Sequence, residues 1–470
     1  MRPDPNPPAG RLRRTALQIA LAAAAFAALV FLVFSPRYEP PDGDASRYIV
    51  LGANLYQHGV LSNQPFHVET APAPALPVGG PLTAFELALA MAADPVTRRS
   101  FVCFLTGGDC PFEFPGLRAL HVVELALFLA ALGWITLRVT GRTHIAWLAV
   151  ATALVCRELT FDAKLVLTEP LFLAAVGGFL AGWLAVWERP ESLFRGALLG
   201  FALAATILVK PVFQAIVPLT VLFYAAAALA PGRGPGIRRI LPAGALCLTV
   251  CLATLAPFYL YFHACCGTAA LADPSLLEAA LSHRVAYNAM SPREWLAGWI
   301  YYLPDFGDVL APALFPDLAP FRLGWGDQSY YVHGRDVLHL QARAHTAPDP
   351  ATSYLIETHV LAHPLWHAAT SALLLWRGLF VGKLWGLIAL PFLVAYPLIP
   401  SAPNRLAFVV LLLPILAVAA IQAGLSVSIS RYNLALILPM SLSFAWCLTA
   451  LVLRLDKLRK RALCPNASPD

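Results

Sequence analysis

Residues 16–34 read ALQIALAAAAFAALVFLVF, and the polar stretch SPRYEPPDGDASRY (35–48) follows directly. The apolar run carries no charge and approaches the roughly 20 residues that span a bilayer, whereas a signal-peptide core has roughly 7 to 15. Arg11, Arg13 and Arg14 stand just before it. We therefore predict an uncleaved first membrane span that begins in the cytosol.

The composition indicates a polytopic membrane protein. Of 470 residues, 59% are hydrophobic and 13% are charged, and the mean hydropathy is +0.66, which is far more apolar than soluble proteins of this size. The net charge of +6 comes from Lys and Arg in short clusters between apolar runs. This is the pattern of the positive-inside rule, so the charge indicates topology and nucleic-acid binding is not expected.

Further apolar runs bring the predicted number of transmembrane helices to about ten. The additional runs cover about 117–137, 144–159, 165–187, 194–209, 212–230, 240–262, 384–399, 406–425 and 432–453. The predicted fold is an all-α polytopic membrane protein with a disordered cytosolic tail (1–15), a transmembrane domain (16–454) and a basic cytosolic tail (455–470). Both termini are predicted to be cytosolic, in a bacterial inner membrane.

Two long loops, 35–116 and 263–383, are predicted on the outer face. The first contains PLTAFELALAM (81–91), which predicts an amphipathic helix at the membrane surface. The second is rich in Trp and Tyr, which predicts an ordered cap at the interface. Its apolar segment 367–380 is short and is predicted to lie in the interface plane.

The cysteines are scattered, and no Cys/His spacing matches a zinc site. Cys103 and Cys110 share the first outer loop, where an oxidising compartment would allow them to pair. The sequence leaves open whether they do.

The ionisable residues within or beside the predicted spans lie toward their outer ends. They are Arg118, Glu124, Lys164, Glu169, Lys210 and Arg431. Transporters need polar groups near the midplane, where these helices are nearly uncharged. The pattern favours a reaction centre at the outer interface, where cations hold a phosphate and a carboxylate acts as general base.

The stretch around Asp44 resembles a known family. Asp44, Arg47 and Tyr48, followed by LGANL (51–55), resemble the first outer loop of GT-C glycosyltransferases of the family 39-like branch. That branch contains the bacterial lipid A aminoarabinose transferases and the protein O-mannosyltransferases. An Asp in a D-x-x-x-Y context after the first span is the catalytic carboxylate of that family. The resemblance implies this role for Asp44, with Asp42, Arg47 and Tyr48 as possible support.

Three later motifs extend the resemblance. The motif T-E-P-L-F around Glu169 is similar to the start of the family's fourth span and implies that Glu169 belongs to the catalytic site. The motif L-V-K-P around Lys210 resembles the segment whose Lys contacts the lipid phosphate in the aminoarabinose transferases. Arg431 opens an R-Y…P motif that resembles a late span. Lys210 and Arg431 are thereby implied to bind the donor phosphate.

The resemblance implies an inverting integral membrane glycosyltransferase of the cell envelope. It would move a sugar from a polyprenyl-phosphate-linked donor to a glycan, lipid or protein acceptor on the periplasmic face, without a cofactor. Asp42-Gly43-Asp44 stands where protein mannosyltransferases have adjacent acidic residues, and such a D-x-D triplet leaves a divalent metal possible although none is predicted. The chain ends shortly after its last predicted span, so the acceptor is expected to differ from that of the aminoarabinose transferases.

Simpler interpretations of the same residues stay open. Asp42 and Asp44 are typical caps for a helix that starts just after them. Glu169 can pair with Lys164 as a solvated neighbour, and Arg431 can mark the membrane interface.

Two other classes of function also stay open. A transporter or flippase of lipid-linked saccharides predicts half-chain repeats and polar groups at the midplane, and we find neither in the sequence. A non-catalytic scaffold of envelope assembly predicts that Asp44 and Lys210 are dispensable.

Overall fold

The structure is a computed structural model that describes residues 9–34, 41, 43–161, 165–229, 236–316, 322–345 and 351–463. Within these ranges the regular secondary structure is helical and no β-strand is present. The predicted all-α class is therefore confirmed. Asp42 and Lys164 lie outside the described residues.

The first half of the chain contains long helices interrupted by a group of shorter ones after α1. The helices are α1 Ala9–Phe34, α2 Gly43–His58, α3 Pro81–Ala93, α4 Pro95–Leu105, α5 Pro115–Thr140, α6 Thr143–Leu154, α7 Arg157–Phe161, α8 Glu169–Glu188, α9 Leu193–Val209, α10 Ile216–Leu229 and α11 Ile237–Cys266. A 3₁₀ segment, Pro211–Ala215, leads into α10.

The second half opens with short helices and closes with long ones. They are α12 Pro274–Val285, α13 Pro292–Tyr301, α14 Gly307–Leu314, α15 Tyr330–His333, α16 His339–Ala344, α17 Ala351–Leu355, α18 Pro364–Leu379, α19 Leu384–Leu398, α20 Arg405–Leu425 and α21 Ile437–Leu463. A 3₁₀ segment, Ser430–Leu436, leads into α21.

Prolines set the starts of many helices. They occupy the first turn of α3, α4, α5, α8, α12, α13 and α18. A first-turn proline forfeits no helical hydrogen bond, and its fixed φ suits the helix. Helix α8 starts at Glu169, four residues later than the predicted span at 165, with Pro170 in its first turn.

Six helical segments of the described chain are long and apolar enough to cross a membrane. They are Pro115–Thr140, Glu169–Glu188, Pro211–Leu229, Ile237–Cys266, Arg405–Leu425 and Ser430–Arg459. The pair α18 and α19 bends by 111° and adds a seventh if it forms one broken span. Shorter apolar helices, Gln18–Leu29, Thr143–Leu154 and Leu193–Val209, occupy the other predicted spans. The multi-pass architecture is confirmed, and the number of about ten stays a prediction.

The long helices share one large apolar core. Helix α5 packs against α1 and α8, and α9 packs against α8 and α11. Phe128, Phe179 and Trp183 are fully buried between them. A second cluster, around Tyr287 and Leu373, joins the short helices of the second outer loop to α18 and α20.

Helix α3 forms where the sequence predicts it, but its polarity is the reverse of a surface helix. Its one ionisable side chain, Glu86, is buried, whereas Phe85 and Leu89 are 43% and 56% exposed. Its apolar face is suited to lipid, and Glu86 points into the protein.

Cys103 and Cys110 form a disulfide between the end of α4 and the turn before α5. The structure thus pairs the two cysteines that the sequence left open. Disulfides persist in oxidising compartments, so this pair favours an outer location for the first loop.

We expect Cys103 and Cys110 to resist a membrane-impermeant maleimide in intact cells until a reductant is added. The matched variant Cys103→Ser should leave Cys110 reactive without reduction, because its partner is gone. Mass spectrometry of the purified protein would count the modified thiols. Labelling of both cysteines in the unreduced wild type would contradict the pairing.

Candidate functional site

Four charged side chains from distant parts of the sequence meet at one end of the helical core. They are Asp44, Glu169, Lys210 and Arg431. Arg431 Nη2 donates a 2.8 Å hydrogen bond to Asp44 Oδ2, and Arg431 Nε lies 3.3 Å from Glu169 Oε1. Lys210 Nζ is 3.7 Å from the same oxygen of Glu169. The four groups form a chain of alternating charge, which we call the charge chain.

Helix ends place two members of the charge chain. Glu169 is the first residue of α8, where the positive end of the helix dipole favours a carboxylate. Lys210 follows α9 because Pro211 cannot continue the helix and forces the preceding residue out of helical conformation; Lys210 has φ −129° and ψ 98°. Its Nζ lies 4.3 Å from the ring centroid of Phe172, in the range of a cation–π contact.

Arg431 is held by the turn before α21. Asn433 Nδ2 donates hydrogen bonds to Ser428 Oγ at 2.9 Å and to the Gly378 carbonyl at 3.2 Å. A side chain at Gly378 would collide with both Ser428 and Asn433. The turn that carries Arg431 is therefore fixed against α18.

Gly80 connects the first outer loop to the neighbourhood of Lys210. Its N–H donates to the Val209 carbonyl at 3.2 Å, and a Cβ at this position would collide with the Leu208 carbonyl. Only glycine allows the backbone to approach α9 so closely. Sequence reasoning noted the segment that follows but did not identify Gly80.

The four members of the charge chain differ in solvent exposure. The exposed fraction of the side chain is 4% for Glu169, 14% for Lys210, 30% for Arg431 and 41% for Asp44. Asp44 is therefore the member that an incoming molecule can reach, and Glu169 is the buried counter-charge of both cations. Arg431 carries five donor hydrogens and directs only part of them to Asp44 and Glu169, so it keeps donors for a further anion.

Tyr48 belongs to this site and Arg47 does not. Burial raises the pKa of Tyr48, and the negative charges of Glu169 and Asp44 add to the shift, so its hydroxyl is neutral at physiological pH. Arg47 is exposed on α2 and joins none of the ion pairs of the charge chain. Asp44 is the second residue of α2, which begins at Gly43. It therefore stands inside the helix and not at the N-cap position, and its side chain contacts Arg431.

The second outer loop carries a group of aromatic side chains around Tyr331. Burial raises the pKa of Tyr331, and the negative charge of Asp44 adds to the shift. The ring of Tyr331 meets Trp325 at 4.8 Å, and Arg377 stacks over Trp325 at 4.3 Å. The sequence showed this aromatic enrichment, which predicts an ordered cap at the membrane interface.

The four described members of the charge chain carry no net charge. Two cations balance its two carboxylates, so a divalent metal there would meet two positive side chains. Glu169 contacts Lys210 and Arg431. These contacts account for its position without a pairing with Lys164.

Comparison with known proteins gives only distant similarities. No protein-family model and no curated protein match the chain. The structure is similar to that of the archaeal oligosaccharyltransferase AglB from Archaeoglobus fulgidus in complex with an inhibitory peptide and a dolichol-phosphate, with a TM-score of 0.45 and 14% identity, over 97% of this chain and 52% of that chain. It is also similar to ArnT from Cupriavidus metallidurans bound to undecaprenyl phosphate, with a TM-score of 0.35 and 14% identity, over 91% of this chain and 76% of that chain.

This chain spans about half the length of the AglB chain.

We expect Glu169→Gln to destabilise the protein more than Asp44→Asn. Removing the buried charge leaves two cations without their shared partner, which typically costs about 3–5 kcal/mol. Asp44 is much more exposed, and losing an exposed ion pair costs about 0–1 kcal/mol. Thermal unfolding midpoints of the two variants in detergent would compare the losses. Equal shifts would contradict the difference in burial.

Proposed function

We propose that the protein is an inverting GT-C-type glycosyltransferase that uses a polyprenyl-phosphate-linked sugar as donor. The proposal rests on the placement of a partly exposed carboxylate, Asp44, beside Arg431, with Lys210 farther along the charge chain. A phosphate site next to a reachable base is what transfer from a phosphate leaving group requires.

The other ends of the same helices support an outer location for the site. Arg138 Nη2 lies 2.7 Å from Glu188 Oε2, and Arg195 lies 3.4 Å from the same oxygen. These arginines are at the ends of α5 and α9 opposite to the charge chain. Under the positive-inside rule that end faces the cytosol, so the site faces the periplasm of a bacterial inner membrane, with both termini cytosolic.

The lipid phosphate of the donor would bind to Lys210 and Arg431. Lys acts as a point charge, and the guanidinium offers a planar fork to two phosphate oxygens. Both cations would stabilise the charge that develops on the phosphate as it leaves. Glu169 would remain buried and keep the cations in position between turnovers.

Asp44 would act on the acceptor. When the donor phosphate engages Arg431, the Asp44 carboxylate loses its hydrogen-bond donor and can accept a proton. An acceptor hydroxyl or amine then attacks the anomeric carbon from the face opposite the phosphate, its proton passes to Asp44, and the carbon–phosphate oxygen bond breaks. The new glycosidic bond has inverted configuration, and the lipid phosphate is released.

The alternative of a transporter or flippase has less support. In the long spans of the described chain, charged side chains lie at or near the helix ends, with the exception of Glu124 inside α5. A transport path would require polar groups near the midplane. A non-catalytic scaffold would not need the charge chain. Because burying charges costs free energy, this group of residues is not expected in a protein that makes no use of it.

Asp44→Asn is expected to lower sugar transfer by about 10²- to 10⁴-fold, the usual contribution of a general base. Donor binding should persist, because Lys210 and Arg431 are intact. The assay uses purified protein and radiolabelled polyprenyl-phospho-sugars, with transfer and hydrolysis followed separately. Asp109→Asn, an exposed residue of the same loop, is the matched control. Undiminished transfer by Asp44→Asn would refute its role as base.

Lys210→Met is expected to weaken binding of undecaprenyl phosphate. A charge-assisted hydrogen bond contributes about 1.5–3 kcal/mol, which corresponds to an increase in Kd of about 10- to 100-fold. Lys457→Met, at the exposed opposite end of α21, should bind the lipid like the wild type. If both variants bind equally well, Lys210 does not contact the phosphate.

A further inference from the structure

Three ionisable side chains outside the charge chain meet between α3 and α5. Glu86 on α3, His121 and Glu124 on α5 are 7%, 0% and 7% exposed. His121 Nε2 lies 3.4 Å from Glu86 Oε1, and one ligand atom from each residue lies within 4.8 Å of the others. None of the three has a role in the proposed transfer reaction.

Local structure brings the three groups to one point. His121 and Glu124 are three residues apart on α5, so they share a helix face. Helix α3 turns Glu86 toward that face and leaves apolar Phe85 and Leu89 exposed. A carboxylate that is removed from water in this way needs either a partner of opposite charge or a bound proton.

The contacts within the group do not supply enough positive charge. Both oxygens of Glu86 and Oε2 of Glu124 are buried and accept no hydrogen bond from the described residues. Among the described residues the two carboxylates face one imidazole, and if both are ionised, even a protonated imidazole would leave an excess negative charge. A divalent cation with a neutral imidazole and two carboxylates gives a centre of zero net charge.

We propose that Glu86, His121 and Glu124 bind one divalent transition-metal ion of the Zn²⁺ or Mn²⁺ kind. Imidazole suits Zn²⁺ and its neighbours, and carboxylate oxygens suit Mn²⁺ as well as Zn²⁺. Ligand atoms about 2 Å from a tetrahedral ion lie about 3.3 Å from each other. The 3.4 Å separation of His121 Nε2 and Glu86 Oε1 already matches this spacing.

The ion would tie the first outer loop to the helical core. Helix α3 begins one residue after Gly80, which is hydrogen bonded to Val209 beside Lys210. The ion would fix the middle of α3 to α5, so this helix would be attached at its start and at its centre. Its binding is independent of glycosyl transfer, and the two proposals can fail separately.

The test uses purified full-length protein stripped with a chelator and re-equilibrated with Zn²⁺ or Co²⁺. We expect one ion per chain by elemental analysis, and visible absorption from bound Co²⁺. The chelated protein should unfold at a lower temperature than the loaded protein, because the ion binds only the folded state. These readouts do not involve transferase activity.

Glu86→Gln and Glu124→Gln are each expected to weaken ion binding by more than the roughly 10- to 100-fold lost when an outer-shell partner is removed. Glu278→Gln is the matched control. Glu278 also lies beside a histidine, with Oε1 3.3 Å from His339 Nδ1, but Arg343 already pairs with it at 3.2 Å. This variant should bind one ion like the wild type.

Absence of a stoichiometric ion from wild type saturated with Zn²⁺, Co²⁺ or Mn²⁺ would overturn the proposal. Unchanged binding in both Gln variants would also overturn it, because the ion would then lie elsewhere. If the wild type binds no ion and Glu86→Gln raises its unfolding temperature, the metal proposal is wrong and the two carboxyl groups share a proton instead. If a Gln variant fails to fold, the ion content and the Co²⁺ spectrum of the wild type decide.

Discussion

The structure depends on one buried carboxylate that holds two cations. Glu169 lies at the start of α8, and Lys210 and Arg431 approach its Oε1 from the end of α9 and from the turn before α21. Because an uncompensated charge among apolar helices is costly, none of the three can move independently. Arg431 extends the same set of contacts to Asp44 on α2, and so links the first outer loop to the helical core.

The charge chain forms at helix ends because the sequence breaks its helices there. Pro170 and Pro211 determine where α8 begins and where α9 ends. Adjacent antiparallel spans of similar length place such ends at one depth of the bilayer. A charged residue beside one of these prolines therefore meets the charged residues of neighbouring helices without an extra domain to bring them together.

Much of this could be predicted from the sequence, because charges are rare among apolar spans and their depth follows from helix register. Asp44, Glu169, Lys210 and Arg431 were expected on one face. Their order along the charge chain was not, since the contact of Asp44 with Arg431 joins residues 387 positions apart and depends on how loops fold back. The group on α3 and α5 was missed because Glu86 on an amphipathic pattern is expected to face water, whereas tertiary packing turns it inward.

The difference in burial along the charge chain gives the proposed reaction an order. Asp44 and Arg431 form a partly exposed pair, and such pairs contribute about 0–1 kcal/mol, so a phosphate can displace Asp44 from Arg431. Glu169 is nearly inaccessible, and a phosphate that displaced it would leave a buried carboxylate unpaired. An incoming donor would therefore exchange with Asp44 and leave Glu169 in place. The Asp44 carboxylate would be released from Arg431 only when a donor is bound. It would therefore accept a proton from the acceptor only when both substrates are present.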